Sequence, residues 1–171
     1  TVIPTFRRPN MLKRAIASVL RQTFPLFTIC IYDNASNDET ADVVKDFMKF
    51  DNRIHYFQNK ENIGPINNFN QGIKNVKTNY FNCLSDDDIL LPDFFQLAID
   101  TLEKNESAMF FAGSPITIRE SGEIFHVALS KWPHEGLYAS PDRILHLCDG
   151  NHPNWTAIMF RSDAMKHVGV L

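Results

Sequence analysis

An apolar, strand-like run meets three consecutive carboxylates and then a proline in the stretch YFNCLSDDDILLP, residues 80–92. Asp86, Asp87 and Asp88 lie where a strand would end, and Pro92 can open a helix because proline at the first helical position loses no hydrogen bond. Carboxylates packed so closely repel one another unless a cation compensates them. Mg²⁺ and Mn²⁺ prefer such oxygen ligands. The plainer interpretation is an exposed acidic turn before a helix N-terminus, and the triplet alone leaves both open.

The segments on either side of this stretch alternate between strand and helix patterns. Compact β-prone runs recur through the first half, and each is followed by apolar residues spaced three or four positions apart, which is typical of one helix face. Such alternation implies parallel strands joined by right-handed crossovers. We predict strands at residues 2–3, 27–32, 53–58 and 79–84, and helices that begin at Pro9, after a capping box of Ser36 and Glu39, near Ile66 and at Pro92.

The pattern becomes irregular after residue 106. We predict a strand at residues 108–112, a hairpin of 116–119 and 123–127 with Gly122 in its turn, and short helices after Ser140 and at Ser162. Together the two halves predict an α/β fold over residues 1–171. Its sheet is Rossmann-like, mostly parallel and flanked by helices, with a small antiparallel hairpin region in the second half.

Composition and charge exclude several classes of protein. The 171 residues are 44% apolar, so the chain can bury a core and is not disordered. The net charge is −3 with both signs scattered, which provides no footprint for nucleic acid or an anionic membrane surface. No apolar run reaches transmembrane length. Cys30, Cys83 and Cys148 are far apart and lack metal-binding spacing, as expected for reduced thiols in a cytoplasmic protein.

Polar clusters follow three of the predicted strands, at residues 5–8, 33–36 and 85–88. Ligands of parallel sheets bind beyond the carboxyl ends of the strands, so we expect these clusters to converge. Asp33 is an acceptor-only group that suits an N–H of uracil or guanine, or else the amides of its own loop. Arg7 and Arg8 can hold a diphosphate in a fork, or they are simply two solvated cations.

Several of these segments, taken in order, resemble glycosyltransferase family 2, the inverting nucleotide-sugar transferases with a GT-A fold. The matching segments are residues 2–6 with Arg8-Pro9, residues 17–25, 31–40 and 62–73, residues 84–92 with the acidic triplet, and residues 160–169. The resemblance covers almost the whole chain. It implies a single GT-A domain truncated at both ends, with a nucleotide-binding half at residues 1–106 and a partial acceptor-side half at residues 107–171.

The resemblance also assigns a nucleotide pocket. Asp33 is the implied contact to the nucleotide base, with Asn34 beside it. The rest of the pocket is formed by Pro4, Thr5, Phe6 and Arg8.

The acidic triplet matches the family's metal-binding DXD-type motif. Asp87 is the implied principal ligand of Mn²⁺ or Mg²⁺, and Asp86 contacts the ribose or assists the metal. Many members carry an aspartate where this chain has Ser85, which leaves the division of roles between the carboxylates open. Family members place the general base shortly after the segment that ends here at Leu171, so we assign it to no residue of this sequence.

The function implied by the resemblance is transfer of a sugar from a nucleotide-sugar donor, with UDP favoured, to an acceptor hydroxyl with inversion. The acceptor is a carbohydrate, a lipid-linked molecule or a protein, in polysaccharide or glycoconjugate biosynthesis. We expect a cytoplasmic location, with segments outside this sequence providing any association with the inner face of the membrane. Two alternatives stay open: a nucleotidyltransferase, although residues 5–8 lack a Gly-rich phosphate loop, and a non-catalytic nucleotide-sugar-binding fragment.

Overall fold

A computed structural model describes residues 1–127, 134–141, 150 and 152–169. The strands are β1 Val2–Thr5, β2 Ile29–Asp33, β3 Ile54–Gln58, β4 Tyr80–Asn82, β5 Phe110–Ala112, β6 Ile116–Ile118, β7 Ile124–Val127 and β8 Ile158–Arg161. The α-helices are α1 Pro9–Leu20, α2 Thr40–Met48, α3 Pro65–Lys74, α4 Phe94–Lys104 and α5 Ser162–Val168, and a 3-10 turn at Trp155–Ala157 precedes β8. No described helix is both long and apolar enough to cross a bilayer.

The strands form the predicted parallel sheet and then extend it with antiparallel pairs. β1, β2 and β3 are parallel neighbours in that order. A parallel bridge between Val2 and Cys83, and the 2.9 Å bond from the Leu84 N–H to the Val2 carbonyl, set the end of β4 beside β1. β8 lies between β4 and β5 and is antiparallel to both. The α/β fold class predicted from the sequence is confirmed.

The predicted hairpin in the second half is also confirmed. β6 and β7 pair antiparallel, and Gly122 adopts a φ of 89° in the turn between them. A positive φ of this size is readily adopted by glycine because it has no Cβ. The Gly122 N–H closes the turn on the Arg119 carbonyl at 2.9 Å.

The core lies between the parallel sheet and its helices. α1 buries the apolar face that its spacing predicts, with Leu12, Ile16 and Val19 fully buried. These side chains pack in one cluster with Ile3 and Ile31 of the sheet. The packing fixes where β1 and β2 end, and therefore where the polar residues that follow them emerge.

Some local predictions were wrong. Ser36 does not cap α2, which begins at Thr40, because the Ser36 side chain is bonded to the preceding strand end instead. The Thr40 N–H is bonded by the Asp38 carboxylate at 2.9 Å. α3 does begin near Ile66, as predicted, but the Ile66 side chain is 63% exposed. The helix predicted after Ser140 lies outside the described residues.

Candidate functional site

The ends of β1 and β2 and the loop after β4 meet at one edge of the sheet. Thr5 and Asp33 are register partners at the last positions of β1 and β2. The bond between Leu84 and Val2 sets the loop at 85–88 beside the same edge. The predicted polar clusters at residues 5–8 and 85–88 are joined there by a side-chain bond, in which the Thr5 hydroxyl donates to Asp86 Oδ2 at 2.7 Å.

Arg8 bridges two of the three carboxylates in the loop at 85–88. Its Nη1 donates to Asp87 Oδ2 at 2.8 Å and to Asp86 Oδ1 at 3.2 Å. The Asp86 side chain is only 8% exposed, whereas the Arg8 and Asp87 side chains are 52% and 47% exposed. The site therefore contains one buried carboxylate, Asp86, which is held by Thr5. Arg8 and Asp87 lie above it at the boundary with solvent.

Burial governs the protonation of two carboxyls in this loop. Burial raises the pKa of Asp86, and its bonds to Thr5 and Arg8 oppose that change. Burial also raises the pKa of Asp88, which is hydrogen-bonded to Thr156, and the neighbouring Asp87 charge raises it further. Asp88 thus connects the acidic loop to the 3-10 turn before β8 rather than to Arg8. A nearby cation would favour the ionised form of each carboxyl.

Asp33 is fully buried and carries four hydrogen bonds. Its Oδ1 accepts from the Ser36 N–H at 3.0 Å and from the Ser36 hydroxyl. Its Oδ2 accepts from the Tyr56 hydroxyl at 2.6 Å and from Gln58 Nε2 at 3.2 Å. These donors occupy the four acceptor positions that a carboxylate offers. Burial, with the bond to Asp33 second, raises the pKa of Tyr56 far above its ordinary range.

Ser36 connects the Asp33 loop to the loop after β1. Its hydroxyl accepts from the Arg7 N–H at 2.8 Å, and its carbonyl accepts from Arg7 Nε at 3.3 Å. Arg7 and Ala35 both adopt left-handed backbone, with φ of 56° and 62°. Such conformations are unfavourable for residues with a Cβ and often occur at functional sites. The bonds of Ser36 hold both of these loops in place.

Asn34 is buried in a network of side-chain amides. Its Nδ2 donates to Asn62 at 2.8 Å, and its Oδ1 accepts from the Ile63 N–H at 2.9 Å. Asn59 donates to both Asn34, at 3.4 Å, and Asn68, at 2.9 Å. In this structure the Asn34 side chain braces the turn that leads into α3.

The structure distributes the sequence-predicted residues in two linked groups. Thr5, Arg8, Asp86 and Asp87 form one bonded group, and Asp33 and Asn34 belong to the loop beside it. Pro4 is buried in β1 and Phe6 is half-buried, with the Arg7 guanidinium 4.9 Å from its ring centroid.

The sequence analysis missed Ser36, Tyr56 and Gln58 as partners of Asp33. Tyr56 and Gln58 are two positions apart on β3, so their side chains point to the same side of the sheet. Asp33 is the register partner of Gln58. Two hydrogen-bonding side chains at alternate positions of β3 were the available signal.

Two carboxylates at this site fit a divalent cation. Among the described residues, no three His, Cys, Asp or Glu side chains are grouped for metal binding. A metal at Asp86 and Asp87 would therefore take its other ligands from water or phosphate, as Mg²⁺ commonly does. Arg8 Nη1 already lies within hydrogen-bond distance of both carboxylates, so a positive charge between them is compatible with their positions.

Known protein sequences resemble most of this chain. The family model described as Glycosyl transferase family 2 matches residues 1–168. An uncharacterized glycosyltransferase of Rickettsia typhi is 31% identical over 128 residues, which cover 74% of this chain and 39% of that protein. The GalNAc(5)-diNAcBac-PP-undecaprenol beta-1,3-glucosyltransferase of Campylobacter jejuni is 38% identical over 91 residues, or 53% of this chain and 29% of that protein. The chain thus spans well under half the length of these relatives.

Solved structures share the fold at low sequence identity. S. aureus TarS 1–349 in complex with UDP-GlcNAc superposes with a TM-score of 0.77 at 17% identity, over 98% of this chain and 46% of that one. The mannosyltransferase PcManGT from Pyrobaculum calidifontis, in complex with GDP-Man and Mn²⁺, superposes with a TM-score of 0.70 at 12% identity, over 99% and 46%. The architecture is the GT-A fold.

Proposed function

Because the chain belongs to glycosyltransferase family 2, we propose that its Thr5–Arg8–Asp86–Asp87 edge binds the diphosphate of a nucleotide-sugar donor together with a divalent cation. The whole protein then transfers the sugar to an acceptor hydroxyl with inversion. The observation that carries the proposal is the position of Arg8 Nη1, 2.8 Å from Asp87 and 3.2 Å from Asp86. An anion-binding side chain and two metal-binding side chains thus meet at one strand edge.

Each residue of this edge has a distinct proposed role. Asp87 is the principal ligand of Mn²⁺ or Mg²⁺, since its side chain is 47% exposed and can reach a ligand from solvent. Asp86, whose Oδ2 accepts a hydrogen bond from the Thr5 hydroxyl, assists the metal or accepts a hydrogen bond from a ribose hydroxyl. Arg8 binds the diphosphate through its fork of N–H donors. When bound, the metal supplies Lewis-acid stabilisation of the departing nucleoside diphosphate.

Asp33 is proposed to face the nucleotide base. Its four bonds occupy the carboxylate, so a base N–H would have to replace one of them. The Gln58 bond is the longest at 3.2 Å, and we propose that this bond opens when the base binds. Pro4, Phe6 and Asn34 complete the pocket through the backbone positions and loop shape that they set.

UDP is the proposed nucleotide, supported by the TarS structure that holds UDP-GlcNAc, and Mn²⁺ is supported by the PcManGT structure that holds it. The Campylobacter relative's name describes an undecaprenol-linked substrate, which supports a lipid-linked carbohydrate as one acceptor class. A role in polysaccharide or glycoconjugate assembly on the cytoplasmic side of a membrane follows from that choice. No described residue is assigned as the general base.

Calorimetric titration with nucleoside diphosphates tests the donor site. We expect UDP to bind only weakly without metal and at least about tenfold more tightly with Mn²⁺, a difference of about 1.4 kcal/mol. Asp87→Asn keeps the side-chain shape and removes the charge, so it should abolish the metal effect. Asp93→Asn is the matched control, since Asp93 is an exposed carboxylate at the start of α4. This variant should bind UDP and Mn²⁺ like the wild type.

One outcome of this titration would contradict the donor-site proposal. If UDP, GDP and the other nucleoside diphosphates bound with the same affinity with and without metal, and Asp87→Asn changed none of these affinities, the assignment of this edge would be wrong. Binding that depends on Asp33 but not on Asp87 would retain a nucleotide site and remove the metal from it.

A further inference from the structure

Arg8 occupies the same carboxylate oxygens that a divalent cation would need. Its Nη1 lies 2.8 Å from Asp87 Oδ2 and 3.2 Å from Asp86 Oδ1. Among the described residues, one further hydrogen bond reaches the Asp86 carboxylate, from the Thr5 hydroxyl to Oδ2. The Arg8 guanidinium is therefore the counter-ion that balances the two adjacent negative charges in this structure.

A metal ion and this guanidinium exclude one another. Mg²⁺ binds oxygen ligands at about 2.0–2.1 Å, inside the space that the Nη1 group fills. Two positive charges on one pair of carboxylates also repel. Since the Arg8 side chain is 52% exposed, it is free to leave this position for solvent or for an anion nearby.

We infer that Arg8 is an exchangeable counter-ion, which leaves Asp86 and Asp87 when a divalent cation binds and moves onto the diphosphate that arrives with that cation. The inference rests on the proposed donor site and adds a binding order to it. Arg8 competes with the metal alone but cooperates with the metal and nucleotide together, because only the diphosphate accepts the displaced guanidinium.

The exchange makes metal and nucleotide binding depend on each other. Mn²⁺ alone must displace Arg8 without compensation, so its affinity is low. UDP alone meets two uncompensated carboxylates as soon as it draws Arg8 away, so its affinity is low as well. Bound together, each removes the obstacle to the other, and thermodynamic linkage requires the same coupling factor in both directions.

Electron paramagnetic resonance of Mn²⁺, in which the free aquo ion is counted directly, measures this competition without any assay of transfer. Arg8→Met keeps an unbranched, flexible side chain, although a shorter one, and removes the charge and the N–H donors. In the absence of nucleotide, we expect Arg8→Met to bind Mn²⁺ about tenfold more tightly than the wild type, within the range of typical coupling factors. With UDP present, the coupling factor in Arg8→Met should be smaller than in the wild type, because only the direct contact between metal and phosphate still couples the two ligands.

Arg7→Met is the matched control. It removes the same charge one residue earlier in the same loop, but Arg7 Nε is bonded to the Ser36 carbonyl rather than to a carboxylate. We expect its Mn²⁺ affinity to rise by about twofold or less, since an exposed charge that is bonded to a carbonyl and not to the two carboxylates is largely screened from them. Thermal unfolding of both variants verifies that they are folded.

The outcomes separate this inference from the donor-site proposal. If Mn²⁺ binding in the presence of UDP is normal and abolished by Asp87→Asn, but Arg8→Met binds Mn²⁺ alone no more tightly than Arg7→Met, the donor site stands and the exchange is refuted. If the wild type and both arginine variants bind no Mn²⁺ even with UDP, the metal site itself is wrong, and the exchange is refuted with it.

Discussion

At the scale of single residues, Asp33 and Ser36 form a hydrogen-bonded pair at the end of β2. The Ser36 hydroxyl both donates to Asp33 and accepts from the Arg7 N–H. A local pattern predicted a helix cap at this serine, because a serine three residues before a glutamate fits a capping box. The side chain instead binds the carboxylate before it in the chain. A pattern of neighbours cannot say which of two nearby partners a hydroxyl takes.

Ser36→Ala should therefore affect both stability and binding. The change leaves the part-buried Arg7 N–H and one lone pair of the buried Asp33 carboxylate without a partner, and such a loss at a buried group costs about 1–3 kcal/mol. We expect the free energy of unfolding to fall by that amount in urea denaturation. UDP affinity should fall as well, because the left-handed residues at 7 and 35 lose the bond that holds them.

Thr40→Val is the control for Ser36→Ala, because it also removes a buried hydroxyl but one that forms no hydrogen bond within the described residues. The Thr40 hydroxyl is fully buried and has no hydrogen-bond partner among the described residues. Replacing it with a methyl group of the same shape should leave stability unchanged or raise it by up to about 1 kcal/mol. Equal losses in Ser36→Ala and Thr40→Val would mean that the bonds of Ser36 contribute nothing specific.

At the scale of elements, the sequence pattern predicts the helices and strands of the first half. It does not predict how closely a helix packs on the sheet. The spacing of apolar residues predicted α1 and α3, and the β-prone runs predicted β1 to β4. Nothing in that spacing singles out Gly72. In the structure α3 packs so closely on β1 and β2 that a Cβ at Gly72 would lie 2.4 Å from Val2 Cγ1 and 3.2 Å from Tyr32 Cδ2.

Gly72→Ala should thus destabilise the chain, although alanine is favoured over glycine in a helix by about 1 kcal/mol. Overpacking against the buried Val2 costs about 1–3 kcal/mol, so we expect a net loss in urea denaturation. Val2→Ala removes the clashing methyl groups, and the double variant should be more stable than the sum of the two single losses. A Gly72→Ala chain more stable than the wild type would contradict the close approach of α3.

At the scale of the whole molecule, the candidate site depends on contacts that are distant in sequence. The strand–helix alternation was enough to predict that the ends of β1, β2 and β4 share one edge. It could not predict that β8 inserts between β4 and β5, because both pairings join segments that are far apart in the sequence. For the same reason, it could not pair Arg8 with Asp86 and Asp87, or place Tyr56 and Gln58 on Asp33.

The central claim is that the edge formed by Thr5, Arg8, Asp86 and Asp87 holds a nucleoside diphosphate and its divalent cation. The most direct measurement is a crystal structure grown with UDP and Mn²⁺, with anomalous scattering recorded at the manganese edge. We expect one anomalous peak, which marks the manganese ion, about 2 Å from a carboxylate oxygen of Asp87. The diphosphate should lie on the other side of the ion. UDP bound elsewhere, or bound at this edge with no manganese peak at Asp87, would contradict the claim.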